Sequence, residues 1–260
     1  MCGIAAFFSG RKPISAQRLE HTMNSLRHRG PDTRGAWLSP NRRVALGHTR
    51  LSIIDLETGD QPITNENGQI HIIANGEFYD FERQRSELTG QGHVFRTRSD
   101  SEIALHLFEE FGTHCVQKLR GEFAFVLWDD GNQMLFAARD RLGIKPLYYA
   151  VYDDTIYLAS EIKALFAAGV PARWDDDCFY QYSTAYQMSD RTLFDGVYQV
   201  PPGYCLTATM NGMRTSRYWD FNYSRADELA ASTRPESSYI EELSNVLRKR
   251  CGCECALTCW

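Results

Sequence analysis

The middle of the chain is a succession of short apolar runs, each of strand length. Val44–Gly47, Ile70–Asn75, Glu122–Trp128, Met134–Ala138, Leu147–Val151 and Ile156–Ala159 read as strands. Asn67-Gly68, Asp130-Gly131-Asn132 and Asp153-Asp154 supply tight turns among them, and Asn211-Gly212 joins two more strands, Cys205–Met210 and Met213–Trp219. Turns this short require antiparallel pairing. Several strands are apolar on both faces, as in Ala124-Phe125-Val126-Leu127, so both faces must be covered. Helical spacing at 15–27 (Leu19, Met23 and Leu26, opened by Ser15), 81–89 and 100–111 predicts the covering layers. The pattern is that of an α+β domain with helices outside antiparallel sheets.

Beyond about residue 220 the pattern changes. Residues 221–236 are polar and lose periodicity, which predicts a linker. Ser238-Tyr-Ile-Glu241 is a capping box, and Ile240, Leu243, Val246 and Leu247 share one face of a helix over 237–250. Residues 251–260, CGCECALTCW, crowd in Cys251, Cys253, Cys255 and Cys259. Thiolates could ligate zinc or copper there, but the paired Cys-x₂-Cys spacing of a closed site is missing. The segment reads instead as a non-native or unstructured tail, and no metal is expected in the chain.

A hydrophobic fraction of 43% across 260 residues is enough for one large core. The net charge of -5, with no basic block, argues against nucleic acid or an anionic membrane as partner. MCGIAAFF has no positive n-region, and no run of 18 apolar residues occurs, which predicts a cytoplasmic protein. The scattered Cys2, Cys115, Cys178 and Cys205 fit reduced thiols.

Four places could carry chemistry. If Met1 is removed, Cys2 holds both a thiol nucleophile and an α-amine of reference pKa ~7.7–8.0 that can act as its base. Asn75-Gly76-Glu77, at the end of an apolar strand, could present a side-chain amide and a backbone N–H to an oxyanion. Arg50, after another strand, could grip a carboxylate in bidentate fashion. Ser99-Asp100-Ser101-Glu102 is a capping box that puts Asp100 at the first position of a helix, where the dipole would keep it ionised to receive an ammonium. Taken singly, these residues also fit a chance cysteine, an ordinary Asn-Gly turn, a solvated arginine and a dipole-friendly aspartate. Taken together, the cation and anion match the two ends of an amino acid.

The chain resembles the glutaminase half of glutamine-hydrolysing asparagine synthetases, within the class II, N-terminal-nucleophile amidotransferases. The strings that carry the resemblance are Met1-Cys2-Gly3-Ile4, RHRGPD (27–32), GHTRLSIID (47–55), NGEFYD (75–80), SDSE (99–102), RGEFAFVLWD (120–129), ARDRLGIKPLYY (138–149), SEIKAL (160–165), PPGY (201–204) and YWDF (218–221). The resemblance implies a four-layer αββα sandwich over residues 2–220, two antiparallel sheets between helical layers. It also implies Cys2 as nucleophile with its α-amine as base, and Asn75 and Gly76 as the oxyanion hole. Arg50 with Leu51 would hold the α-carboxylate of L-glutamine, and Glu77 with Asp100 its amino end.

The family's second domain adenylates aspartate with ATP and Mg²⁺ through a Ser-Gly-Gly-x-Asp-Ser loop, a string these 260 residues do not contain. The glutaminase domain itself needs no cofactor, and its partner would be a synthetase domain in cis or in trans; a homodimer is compatible with this. The abrupt change at Arg250 suggests a truncation or an out-of-frame read-through. Glu122, where many asparagine synthetases have Met, leaves the acceptor open. The expected activity is release of ammonia from glutamine for asparagine formation. The alternatives are an amidotransferase acting on another acid in specialised biosynthesis, or a non-catalytic domain that docks a synthetase.

Overall fold

The computed structural model describes residues 1–184, 189–223 and 234–258. The chain divides into two compact units, Met1–Asp220 and Phe221–Trp260. Most of the predicted linker, residues 224–233, and the last two residues of the predicted tail lie outside the described residues.

Among the described residues the first unit has twelve strands: β1 (Gly3–Ser9), β2 (Thr33–Leu38), β3 (Val44–Arg50), β4 (Ile63–Thr64), β5 (Ile70–Phe78), β6 (Gly121–Asp129), β7 (Met134–Arg139), β8 (Tyr148–Tyr152), β9 (Thr155–Ala159), β10 (Val197–Gln199), β11 (Tyr204–Thr209) and β12 (Gly212–Arg217). They form two six-stranded antiparallel sheets, in the orders β10-β8-β9-β1-β3-β2 and β12-β11-β7-β6-β5-β4. The helices of this unit are α1 (Ala16–Ser25), α2 (Phe81–Gly90), α3 (Glu102–Phe111), α4 (Cys115–Lys118), α5 (Ile162–Ala167) and α6 (Asp176–Ser183).

Period-two alternation explains the layers. On β1, Ile4, Ala6 and Phe8 face the other sheet, while Ala5 and Phe7 face a core shared with Leu19 of α1 and Leu165 of α5. On β6, Ala124, Val126 and Trp128 point between the sheets, while Phe123, Phe125 and Leu127 pack on Ile103, Leu107 and Phe108 of α3. Three apolar layers separated by two sheets make the αββα sandwich. A strand covered on both faces has no polar side to alternate with, which is why these segments are continuously apolar.

The structure corrects several boundaries. Gly3–Ser9, read only as an apolar start, is a central strand of the first sheet, and β2, β4 and β10 are further strands that the pattern did not show. β4 and β10 are too short for periodicity to register, and β2 has a half-exposed, mixed surface. In the second unit, α7 (Glu236–Thr258) does not stop at Arg250. Its backbone carries on through the Cys-rich segment to Thr258, a stretch without proline that contains helix-favouring Glu254, Ala256 and Leu257.

Phe125 is fully buried and packs on Phe78, Phe123 and Phe136. Phe125→Ala is expected to destabilise the fold by about 3–5 kcal/mol, measured as a shift in denaturant midpoint at constant m-value.

Candidate active site

The site begins at an unpaired strand edge. β4 pairs with β5 only at Ile63↔Ile72 and Thr64↔His71, so beyond Ile72 the outer edge of β5 has no strand beside it. Its outward N–H groups find other partners: Ala74 donates to Gln61 Oε1 (2.6 Å) and Phe78 to Asp100 Oδ2 (2.7 Å). Backbone direction alternates along a strand, so the N–H of Gly76 points out between these two. No side chain fits at Gly76, because a Cβ there would lie 2.2 Å from the Glu122 carbonyl oxygen and 2.6 Å from Phe123 Cα. The neighbouring Asn75 is 1% exposed, and its Nδ2 has no hydrogen-bond partner among the described residues. Asn75-Gly76 is therefore not a turn but the middle of a nine-residue strand, paired with Ala124 and Phe123. The turn preference of the dipeptide is overridden by sheet register.

Cys2 arrives from the other sheet. The register Gly3↔Thr49 puts Cys2 one step further along, beside Arg50. Arg29 Nε donates to the Cys2 carbonyl (2.8 Å), while Arg29 Nη1 pairs with Glu161 (2.9 Å). Burial raises Glu161, but Arg29, His28 and Lys163 outweigh it and bring the carboxyl down to about 2. The Cys2 thiol faces the Leu51 carbonyl oxygen at 3.7 Å. Burial pushes this thiol up, a rise only partly offset by the Leu51 backbone, the N-terminal ammonium, Arg50 and Arg29. At rest it is a thiol, and it becomes a nucleophile only when a base takes its proton. His48 on β3 ties the two sheets beneath the site by donating from Nε2 to the Ala74 carbonyl (3.0 Å). Complete burial lowers this imidazole to about 4, which keeps it neutral.

Asp100 is 4% exposed and lies before α3, whose N-cap is Ser101. This corrects its predicted place at the first helical position. The correction extends to its charge. Burial, with a contribution from Glu77, outweighs the Phe78 N–H and raises Asp100 to about 6. No side chain caps α3; the Glu102 carboxylate instead reaches back to the N–H groups of Arg96 (2.7 Å) and Thr97 (2.8 Å) in the preceding loop. Arg50 is 5% exposed and is already engaged. Nη1 meets Asp60 Oδ1 (2.9 Å), while Nη2 donates to the carbonyls of Ile54 (2.9 Å) and Asp55. With three of its five N–H groups used in this way, two are left for a ligand.

Cys2, Arg50, Leu51, Asn75, Gly76, Glu77 and Asp100 all line one cleft. Every site residue named from the sequence is there. Gln61, Ser99, Ser101 and Lys145 line it too, and sequence reasoning missed them as site residues. Lys145 Nζ lies 3.4 Å from Glu122 Oε2, so the glutamate that departs from the family string holds a cation at the cleft. Gln61 gives no periodic or motif signal; its role appears only when its amide replaces a missing β4 carbonyl. The arrangement offers a thiol, an Asn75 amide nitrogen without a partner among the described residues, an outward Gly76 N–H, a guanidinium and a pair of carboxylates, which suits acyl transfer from an amino-acid amide.

The family model for the glutamine amidotransferase domain matches residues 1–219. This chain belongs to the class II glutamine amidotransferases. It is 41% identical to the amidase chry2 of Gibberella zeae over 93% of this chain and 37% of that protein. It is 36% identical to asparagine synthetase [glutamine-hydrolyzing] 3 of Bacillus subtilis, over 85% of this chain and 37% of that one. The chain thus spans less than two fifths of the length of these relatives. Among solved structures, the glutamine phosphoribosylpyrophosphate amidotransferase of B. subtilis superposes with a TM-score of 0.63 at 20% identity, over 84% of this chain and 49% of that one. That likeness shows the shared sandwich.

The two central site residues should respond to different degrees in thermal melts. Asn75→Ala removes a buried donor that has no partner and should cost less than about 1 kcal/mol. Gly76→Ala forces backbone apart and should cost about 1–3 kcal/mol.

Proposed function

We propose that this domain hydrolyses L-glutamine to glutamate and ammonia through a thioester on Cys2, as the glutaminase half of an asparagine synthetase-like amidotransferase. The observation that carries the reading is the buried, unpartnered Asn75 amide beside the outward Gly76 N–H, in the cleft that also holds the Cys2 thiol. A buried donor without an acceptor costs about 1–3 kcal/mol, and a ligand oxygen would recover that.

In the proposed sequence, Arg50 holds the glutamine α-carboxylate, and Asp100 with Glu77 holds its ammonium. The α-amine of Cys2, free once Met1 is removed, takes the thiol proton. Sulfur then attacks the side-chain carbonyl carbon, and the oxyanion accepts hydrogen bonds from Asn75 Nδ2 and Gly76 N–H. As the C–N bond breaks, the α-ammonium returns its proton to the leaving nitrogen and ammonia departs. Water then cleaves the thioester, giving glutamate. With Met1 attached, the Cys2 nitrogen is an amide and cannot act as base, so that form is an inactive precursor.

In this reading the ammonia is meant for an ATP- and Mg²⁺-dependent synthetase domain, working in the cytoplasm. Aspartate is the acceptor in this reading. A second reading is favoured by the amidase name of the 41% identical relative: transfer to a different carboxylic acid. Among the described residues no helix is long and apolar enough to cross a membrane.

Cys2→Ala should abolish ammonia release from glutamine and leave the melting temperature unchanged. Intact mass after exposure to a glutamine-like electrophile should show one adduct on the Met1-free wild type and none on the variant; ammonia release that survives the substitution rules out the thioester. Within the Cys2→Ala chain, glutamine binding should depend on pH through Asp100. Its carboxyl is raised to about 6, so it is ionised above that pH and neutral below it, where it cannot hold an ammonium. The Kd measured by calorimetry should rise about tenfold per pH unit below pH 6. A flat Kd from pH 7 to pH 5 removes Asp100 from ammonium recognition.

A further inference from the structure

A second set of polar side chains lies away from the cleft, where the β4–β5 turn and the loop after α2 meet α3. Glu66 belongs to that turn, His93 to that loop, and His106 and Glu109 lie three residues apart on α3, on one helical face. One ligand-capable atom from each of the four falls within 4.8 Å of all the others. Around Glu109 Oε2 stand His106 Nδ1 at 2.7 Å and His93 Nδ1 at 3.4 Å, and Glu66 Oε2 is 3.9 Å from the same His106 nitrogen.

What separates this set from a surface cluster of charges is its surroundings. Both imidazoles turn Nδ1 inward with a carboxylate behind Nε2: His93 Nε2 pairs with Glu110 Oε1 at 2.9 Å, and His106 Nε2 stands 3.5 Å from Glu102 Oε1 without a formed hydrogen bond. The outer oxygen of Glu109 accepts from Asn65 Nδ2 at 2.7 Å, and Asn65 is fully buried. Glu102 is fixed in turn by Arg96 and Thr97. The Phe95 ring stands edge-on to His106, 4.4 Å between centroids, and closes one side. Carboxylates behind the remote nitrogens of inward-facing histidines are the arrangement that orients metal ligands and sets their tautomer.

We propose that Glu66, His93, His106 and Glu109 bind one divalent transition-metal ion of the zinc class. Two imidazole nitrogens and two carboxylate oxygens suit Zn²⁺ in four-coordinate geometry; Mg²⁺ and Ca²⁺ prefer oxygen ligands alone, and no thiolate is present to favour softer ions. On binding, the proton that His106 Nδ1 shares with Glu109 passes to solvent and the nitrogen lone pair goes to the metal. The ion would join the turn, the loop and α3, three elements close in space but distant in sequence. Its function is structural, and it is independent of the glutaminase reading.

The test uses the full chain with Cys251, Cys253, Cys255 and Cys259 replaced by serine, so that the tail offers no competing thiolates. After chelation, Zn²⁺ is titrated by calorimetry and by thermal melting, with Mg²⁺ alongside. One Zn²⁺ per chain and a rise in Tm are expected, with no response to Mg²⁺. Glu66→Gln, at an exposed position, and His93→Gln should each weaken Zn²⁺ binding by at least about tenfold and reduce the rise in Tm. Outer-shell Glu110→Gln should weaken it about 10–100-fold. Zn²⁺ uptake that is absent, or unchanged in both Glu66→Gln and His93→Gln, overturns the proposal.

Discussion

Because β4 begins only at Ile63, opposite Ile72, the backbone of β5 from Ile73 onward must satisfy its outward groups without a neighbouring strand. Gln61 answers for Ala74 and Asp100 answers for Phe78, leaving Gly76 between them. A β4 that began four residues earlier would reach Gly76 and occupy its outward N–H. The glycine is required for a separate reason, since β6 passes so close that a Cβ would meet the Glu122 carbonyl oxygen at 2.2 Å. Sheet register therefore fixes both halves of the donor pair, and the glycine keeps the backbone close enough for the register to hold.

Charge at the site is governed by burial more than by local secondary structure, and Asp100 shows the balance. A helix N-terminus stabilises an exposed carboxylate by about 0.3–1 kcal/mol. The rise of Asp100 from 3.8 to about 6 corresponds to roughly 3 kcal/mol against the charged form, so burial wins. The Phe78 N–H and two backbone groups of its own turn limit the shift and keep the carboxyl ionised near neutral pH. Cys2 follows the same logic with the opposite consequence. Burial holds it as a thiol despite Arg50 and Arg29, so it needs a base before it can act as a nucleophile.

Sequence reasoning reached the layers and the site residues by different routes. Continuous apolar strands such as Ala124–Leu127 gave the doubly covered sheets, because a strand buried on both sides leaves a local signature. The family strings carried the residues of the cleft, and no spacing along the chain would have done so. Cys2 and Asn75 belong to different sheets, which the packing between them and contacts such as His48 to Ala74 hold together. Local rules failed where tertiary structure opposed them. Asn75-Gly76 has the letters of a turn and the structure of a strand, and Ser99–Glu102 has the letters of a capping box whose helix starts two residues later than expected.

The segment between Arg96 and Glu102 links these conclusions physically. Glu102 draws the N–H groups of Arg96 and Thr97 and the Thr97 hydroxyl onto one buried carboxylate, while Arg85 donates to the carbonyls of Thr97 and Ser99. Asp100 projects from the end of that clamped segment toward the β5 edge. Burial lowers His106, but Glu102 and Glu109 more than reverse it and raise the imidazole to about 9, so the clamp is held by an imidazolium on its far side. Glu102 thus ties the segment that leads to Asp100 to the His106 side of α3. The position of the Asp100 carboxylate depends on that helix start.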